Sequence, residues 1–365
     1  MHDSISDIRL REGTQDCAKH CRDGKEDSAL DIKTRRKMIA ILRVLQAAPK
    51  PMGSQRIAEA LLASGIDLGE RTVRNYLAQT DGLAWTENLG RRGRRLTPHG
   101  LQELESALVV DKVGFVAARV DMLAYQMDFD ITTRKGKVII NVSTFNPRDW
   151  RFASRVLTEA YDAGLSMGRL VAFGGPGDSL GTFNVPKGSV AVGTVCSVSI
   201  NGIFLRAKIA TTSRFGGLVQ LEKMQPRRFT QIITYDGSSL DPLEIFIRGH
   251  MTSVMNTART GFGVVGASFR EVPSIAMEDV RRLVRQSEQA GLGGLLAIGT
   301  PNQPLLDIPV AQGRTGLVIC GGLNPIAAVV ESGISVTSTA MCTLCEFDDL
   351  VDYTDLRSFA AKRGL

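Results

Sequence analysis

Two groups of side chains could carry chemistry in this 365-residue chain. The first is basic and clustered. Arg71, Thr72, Arg74 and Asn75 lie within one short segment, followed by Arg91, Arg92, Arg94 and Arg95 in the glycine-flanked run Gly90 to Arg95. Guanidinium forks, an amide and a hydroxyl at the exposed start of a helix are suited to reading base edges, while arginines on a loop tip meet phosphates or enter a minor groove. The second group is Ser213, Arg214, Gly216 and Gly217 in SRFGG, with Arg248, Arg270, Asn201 and Asn324. A guanidinium beside exposed glycine amides suits a carboxylate, so these are candidate effector contacts. Their structural alternative is glycines that serve tight turns and arginines paired with Glu271 and Glu244.

The charge distribution sets the two groups apart. Lys33 to Arg95 holds 13 basic and 5 acidic residues, and the rest of the chain holds 31 and 33, although the net charge is only +6. A short segment carrying the whole positive excess is the expected footprint of a nucleic-acid surface; a solvated basic face is the plainer explanation.

The elements that must position the first group follow from periodicity and caps. Thr34 can cap a helix to about Ala48, with Met38, Ile41, Leu42 and Leu45 inward and Pro49 and Pro51 ending it. Ser54, with Gln55 beside it, opens a second helix with Ile57, Leu61 and Leu62 inward, closed by Ser64-Gly65. A third covers Glu70 to about Thr80, burying Val73, Tyr76 and Leu77. Leu83 to Thr86 and Leu96-Thr97 read as strands around the arginine turn. Together these predict a winged helix-turn-helix over residues 33–106, after a flexible extension over residues 1–32, with double-stranded DNA as partner. Ser54, Gln55, Arg71, Thr72, Arg74, Asn75, Arg91, Arg92, Arg94 and Arg95 are the expected contacts.

The second group lies in a Gly- and Val-rich segment with internal repeats. Ala163-Gly164-Leu165 matches Ala290-Gly291-Leu292, each after a helical stretch, Phe152 to Asp162 and Met277 to Gln289. Pro186, Gly193, Val195, Asn201 and Ile203 match Pro309, Gly316, Val318, Asn324 and Ile326. LVAFGGP (Leu170 to Pro176) resembles LLAIGTP (Leu295 to Pro301), and Val138 to Pro147 resembles Val264 to Pro273. The expected fold class is therefore multidomain: an N-terminal winged helix-turn-helix, then an α/β regulatory domain over residues 111–352. That domain is read as a tandem duplicated unit, halves about 111–230 and 231–350, with a mixed sheet and a ligand cleft between the halves.

Other signals point nowhere specific. Gly261, Gly263 and Gly266 spell GxGxxG, but a helix precedes them and a strand follows, the reverse of a dinucleotide site. Cys342 and Cys345 have ligand spacing, and Cys17, His20 and Cys21 cluster, yet neither has a second pair in sequence, so no metal is expected. No His stands beside a nucleophile motif, so no catalytic residues are assigned and no enzyme is expected. Every apolar run is broken well short of a membrane span, no signal peptide is evident, and the cysteines read as reduced thiols, which predicts a cytoplasmic protein.

The winged helix followed by VGTVCSVSING (Val192 to Gly202), SRFGGL (Ser213 to Leu218), YDGSSLDPLEIFI (Tyr235 to Ile247), FREVP (Phe269 to Pro273) and GGLNP (Gly321 to Pro325) resembles the nitrogen regulatory repressor family of archaea, NrpR. The resemblance covers roughly Arg35 to Leu350. It implies a repressor of nitrogen-assimilation genes that leaves a palindromic operator when its regulatory domain binds 2-oxoglutarate, an allosteric effector rather than a cofactor. A homodimer is expected, and one regulatory domain in place of two leaves room for a second regulatory-domain polypeptide. The competing expectations are a winged-helix regulator sensing another small metabolite, a bifunctional winged-helix enzyme of the biotin-ligase type, whose arginine-glycine loop would here lie inside the wing, and an interaction module without operator preference.

Overall fold

The structure, a computed structural model, describes residues 32–48, 50–63, 66–111, 115–356 and 358. The N-terminal extension up to residue 31, including Cys17, His20 and Cys21, lies outside the described residues, as does the Ser64-Gly65 helix end. The chain divides into two compact units, Met1–Val110 and Asp111–Leu365.

The first unit runs α1 (Ile32–Ala47), α2 (Ser54–Ala63), α3 (Glu70–Gly82), β1 (Thr86–Asn88), β2 (Arg94–Leu96) and α4 (Pro98–Asp111). Ile41, Leu45, Ile57, Leu61, Val73 and Leu77 form one apolar cluster, and Met38, Leu42, Trp85 and Leu104 a second. Each such side chain taken from water contributes about 1.5–3 kcal/mol. Thr34 lies inside α1 rather than capping it. Leu62, expected inside, is 61% exposed, because it stands 100° around the helix from buried Leu61.

The wing differs from expectation in register. Leu83, Ala84 and Trp85 belong to the end of α3: their amides donate to the carbonyls of Gln79, Asp81 and Thr80, and Ala84 takes φ +57°. The strand therefore starts at Thr86, and Trp85 is buried by the fold of that turn. Met52 and Arg94 exchange backbone hydrogen bonds of 3.0 and 2.9 Å, which bridges the segment before α2 to β2. That approach requires Gly93, at φ +95°, where a Cβ would lie 2.3 Å from the Met52 carbonyl carbon.

The second unit opens with α5 (Phe115–Gln126), then β3 (Lys137–Phe145), α6 (Trp150–Asp162), β4 (Leu170–Gly174), a small hairpin β5 (Ser179–Leu180) and β6 (Phe183–Asn184), β7 (Val190–Val195), α7 (Ser199–Arg206), β8 (Thr212–Glu222) and β9 (Gln225–Thr234). It continues with α8 (Pro242–Arg248), α9 (Val254–Thr260), β10 (Gly263–Pro273), α10 (Met277–Gln289), β11 (Leu295–Ile298), β12 (Arg314–Cys320), α11 (Asn324–Glu331), β13 (Thr337–Glu346) and β14 (Val351–Asp352).

Two five-stranded sheets result, ordered β13-β3-β7-β4-β14 and β11-β12-β10-β8-β9. All their pairings are antiparallel, which corrects the mixed sheet expected from the repeats. The helical crossovers suggested parallel neighbours, but β7 inserts between β3 and β4, and β12 between β10 and β11, as in a split βαβ arrangement. In each sheet a strand from the other stretch of chain lies beside the first strand: β13 beside β3, and β8 beside β10.

The matched sequence triplets are helix ends. Gly164 and Gly291 take φ +71° and +82° after α6 and α10, and the next amides, Leu165 and Leu292, reach back to the carbonyls of Ala160 and Ser287. The GxGxxG stretch joins the end of α9 to β10, in agreement with the helix expected before it and the strand expected after it.

Candidate functional site

On the first unit, Arg71, Thr72, Arg74 and Asn75 are exposed along the first turns of α3, on the face opposite Val73 and Leu77. Glu70, the first residue of α3, holds two of the expected contacts. Its Oε1 accepts from Arg74 Nη2 at 2.5 Å and from the Ser54 hydroxyl at 3.0 Å. Those two bonds, Arg74's first, hold the Glu70 carboxyl below its usual range. Ser54 thus ties the start of α2 to the start of α3. Gln55 bonds Glu59 at 3.2 Å on the exposed side of α2.

The four wing arginines separate into two kinds. Arg91 and Arg92 are exposed at the tip. Arg94 turns inward to Asp81, Nε to Oδ2 at 2.8 Å, with only 16% of its side chain exposed, and the same carboxylate accepts from Thr86 at 2.6 Å. Arg94 is therefore a wing-to-helix strut, a correction to its expected place at the tip. Arg95 pairs with Glu87 directly across the hairpin, with both side chains in solvent.

In the second unit the candidate effector residues do not form one site. Ser213, Asn201 and Arg270 do come together: Asn201 Nδ2 donates to Ser213 Oγ at 2.9 Å, and Arg270 Nε donates to Asn201 Oδ1 at 2.6 Å. Arg270 is fully buried and also donates to Ser268 at 2.6 Å and Ser197 at 3.2 Å; among the described residues no carboxylate lies within ion-pair distance of it. Desolvation pulls its pKa down, offset in part by Tyr235 and Cys196. The neighbouring cavity, lined by Ser197, Tyr235 and Asp241 among others, holds about 20 Å³, room for a single water.

The remaining candidates have other roles. SRFGG lies within β8 rather than in a turn. A Cβ at Gly216 would meet Pro242 at 2.7 Å and one at Gly217 the Gln231 carbonyl at 2.5 Å, so α8 and β9 require both glycines. Arg214 pairs with Glu271 and donates to the Pro309 carbonyl. Asn324 is buried and grips both backbone groups of Gly266. Arg248 stands at a separate cavity of about 340 Å³, also lined by His250 and Glu244, two residues that the sequence did not mark as site residues.

A further polar feature had no sequence signal. Between Thr339 and Thr343 the register of β13 against β3 slips, leaving a bulge of Ala340, Met341 and Cys342. Glu244 accepts from the Ala340 amide, Asn141 Oδ1 from the Met341 amide at 3.0 Å, and Arg119 of α5 donates to the Met341 and Cys342 carbonyls at 2.7 and 3.3 Å. Met341 is left with φ +48°.

Burial pushes the Cys345 thiol up to about 11 and Cys196 and Cys320 up to about 12, so these remain thiols at neutral pH. Among the described residues no group of three or more His, Cys, Asp or Glu could hold a metal ion, and no helix is long and apolar enough to cross a membrane.

Comparison with known proteins adds the family context. Residues 113–352 match the family described as NrpR regulatory domains NRD1 and 2, and residues 39–104 match the ribonuclease R winged-helix domain. The Global nitrogen regulator NrpRI of Methanosarcina mazei is 34% identical over 88% of this chain and 99% of its own length. The Global nitrogen regulator NrpR of Methanococcus maripaludis is 30% identical over 89% of this chain, which spans only 55% of that longer relative. A crystal structure of a nitrogen repressor-like protein from Methanococcus jannaschii, 29% identical, superposes with a TM-score of 0.56 over 65% of this chain and 97% of that one.

Proposed function

The chain belongs to the NrpR family of nitrogen regulators, and on that premise we propose that it is a DNA-binding repressor of nitrogen-assimilation genes, released from its operator by 2-oxoglutarate. The observation that carries the DNA half is the exposed arginine set. Arg71 and Arg74 lie on the first turns of α3, and Arg91 and Arg92 on a wing braced by Asp81 and Arg94. In a winged helix the helix start reads the major groove and the wing meets the backbone or the minor groove. Two such units one helical turn apart, roughly 34 Å, match a palindrome, so the working form is a homodimer. The family relationship supports the effector half.

The two repeated stretches, which exchange strands between the two sheets, are best explained as a tandem duplication, which accounts for the sequence matches. Release follows from linkage: an effector that binds the DNA-incompetent arrangement more tightly by a few kcal/mol lowers operator affinity on the order of 100-fold.

The test is fluorescence-anisotropy binding to DNA upstream of the cell's own glutamine-synthetase and ammonium-transporter genes, titrated with 2-oxoglutarate at fixed salt. Specific binding that weakens as the effector rises supports the proposal. Specific binding indifferent to 2-oxoglutarate keeps the repressor and replaces its effector; binding no tighter than to random DNA overturns it at these genes.

A further inference from the structure

The cavity beside α8 differs from the Arg270 cluster in every property that matters for a small ligand. It encloses about 340 Å³, against about 20 Å³ near Arg270. That is the size of sites that take small metabolites. Its apolar lining comes from Ile247 of α8, Val330 of α11 and the segment that leads into β13, and Arg248 and His250 bring donors to it. The Arg248 side chain is 64% exposed, and its ion pair, to Glu244 at 3.3 Å, is a long one. A guanidinium in solvent with so loose a partner exchanges it readily for a carboxylate that can accept in bidentate fashion.

Glu244 makes this more than a surface pocket. One of its oxygens accepts from Arg248, and the other accepts from the backbone amide of Ala340, inside the bulge of β13. The far side of that bulge is held by Arg119 of α5 and by Asn141. A charge placed beside Arg248 therefore acts on a carboxylate that is itself a support of the bulge, and the bulge is hydrogen-bonded to the first helix of the second unit.

We propose that the cavity under Arg248 and His250 binds a small organic dianion, with Arg248 and His250 as its anchors and Glu244 as the positioning residue that transmits occupancy to β13 and α5. The proposal rests on the reading of this unit as effector-sensing, and it assigns that role to a place distinct from the buried Arg270. The bound carboxylate takes over Arg248, Glu244 loses one of its two partners, and the bulge is held differently when the cavity is filled.

The experiment is isothermal titration of the full chain with 2-oxoglutarate, succinate and inorganic phosphate as separate probes, run beside operator binding. The double variant Arg248→Ala, His250→Ala should bind 2-oxoglutarate at least about ten-fold more weakly, as expected for the loss of charge-assisted hydrogen bonds. Arg282→Ala, on the exposed face of α10, should leave binding unchanged. Glu244→Gln should keep measurable binding while shifting the effector concentration that releases operator DNA, a readout that a merely structural role would not separate from stability. Circular dichroism establishes that each variant is folded. Unaltered affinity in the folded double variant overturns the site, as does the absence of binding by any probe to the unmodified chain. The first result leaves release by 2-oxoglutarate standing and moves only its site, whereas the second also removes 2-oxoglutarate as the effector; operator binding without effector is measured separately, so the failure of this site and the failure of the repressor reading are distinguishable.

Discussion

Arg270 of β10 donates its Nε hydrogen to Asn201 of α7 at 2.6 Å, and thereby ties the sheet of one repeated stretch to the helix of the other. Among the described residues its hydrogen-bond partners are neutral, so its burial is stabilised by hydrogen bonds to Asn201, Ser197 and Ser268 rather than by an ion pair. Arg270→Ala should destabilise the second unit by about 3–5 kcal/mol, because it leaves a cavity and strands several buried acceptors. Arg270→Met, which fills the space, should cost less. Urea denaturation of the two variants decides it, and equal losses would mean that the polar network rather than packing is what Arg270 supplies.

The wing makes a sharper prediction because its arginines divide by partner. Arg91→Ala with Arg92→Ala should lower the slope of log affinity against log salt by about 0.9 per lost phosphate contact, without changing the melting temperature. Arg94→Ala should do the reverse, costing about 1–2 kcal/mol of stability through the Asp81 pair and leaving the slope nearly intact. Anisotropy at three salt concentrations plus a thermal melt separates the two outcomes.

Glu70 holds Arg74 while DNA is absent, so the reading helix carries its own competitor. Glu70→Gln should raise affinity for random DNA more than for the operator. Arg74→Ala should cost roughly 1–3 kcal/mol at the operator if Arg74 contacts a base. A drop in operator affinity for Glu70→Gln would count against this arrangement.

Asp241 caps α8 with its carboxyl turned inward, and burial, then the Glu244 charge, pushes it up to about 6. The folded state therefore binds a proton that the unfolded chain releases near pH 4, so this group's contribution is most favourable in acid and declines as pH rises through about 4 to 6. Asp241→Asn keeps an N-cap acceptor and removes the charge. It should be more stable than the unmodified chain at pH 7, on the order of 2 kcal/mol, with the difference vanishing near pH 4. Denaturant midpoints across that range test it, and parallel curves would refute it.

Much of the first unit was legible because its signals are local: the spacing of Ile57 and Leu61, the charge at Arg71 and Arg74, and the glycines around Arg91 and Arg92. Arg94 was misplaced because its partner, Asp81, lies 13 residues back, and nothing in the hairpin announces it. In the second unit the repeats located the helices and their glycine caps, but sheet order depends on pairings that local sequence does not encode. SRFGG resembled a turn because glycine usually marks one; here its glycines make room for Pro242 and β9. His250 was passed over, and Glu244 was named only as an arginine's partner, because only the fold brings α8 beside the start of β13.

The placement of β13 beside β3 also bears on how the protein is made. Ser143 and Ser338, which hydrogen-bond across that pair, are separated by 195 positions. At a synthesis rate of about 5–20 residues per second, β3 leaves the ribosome roughly 10–40 s before its neighbour exists. During that interval its side, rich in Val and Ile, is an open edge able to recruit the wrong strand. Neither repeated stretch can complete its sheet alone, so the nascent chain needs shelter until its last long strand is delivered, and a protein truncated before Thr337 should aggregate rather than yield half a regulator.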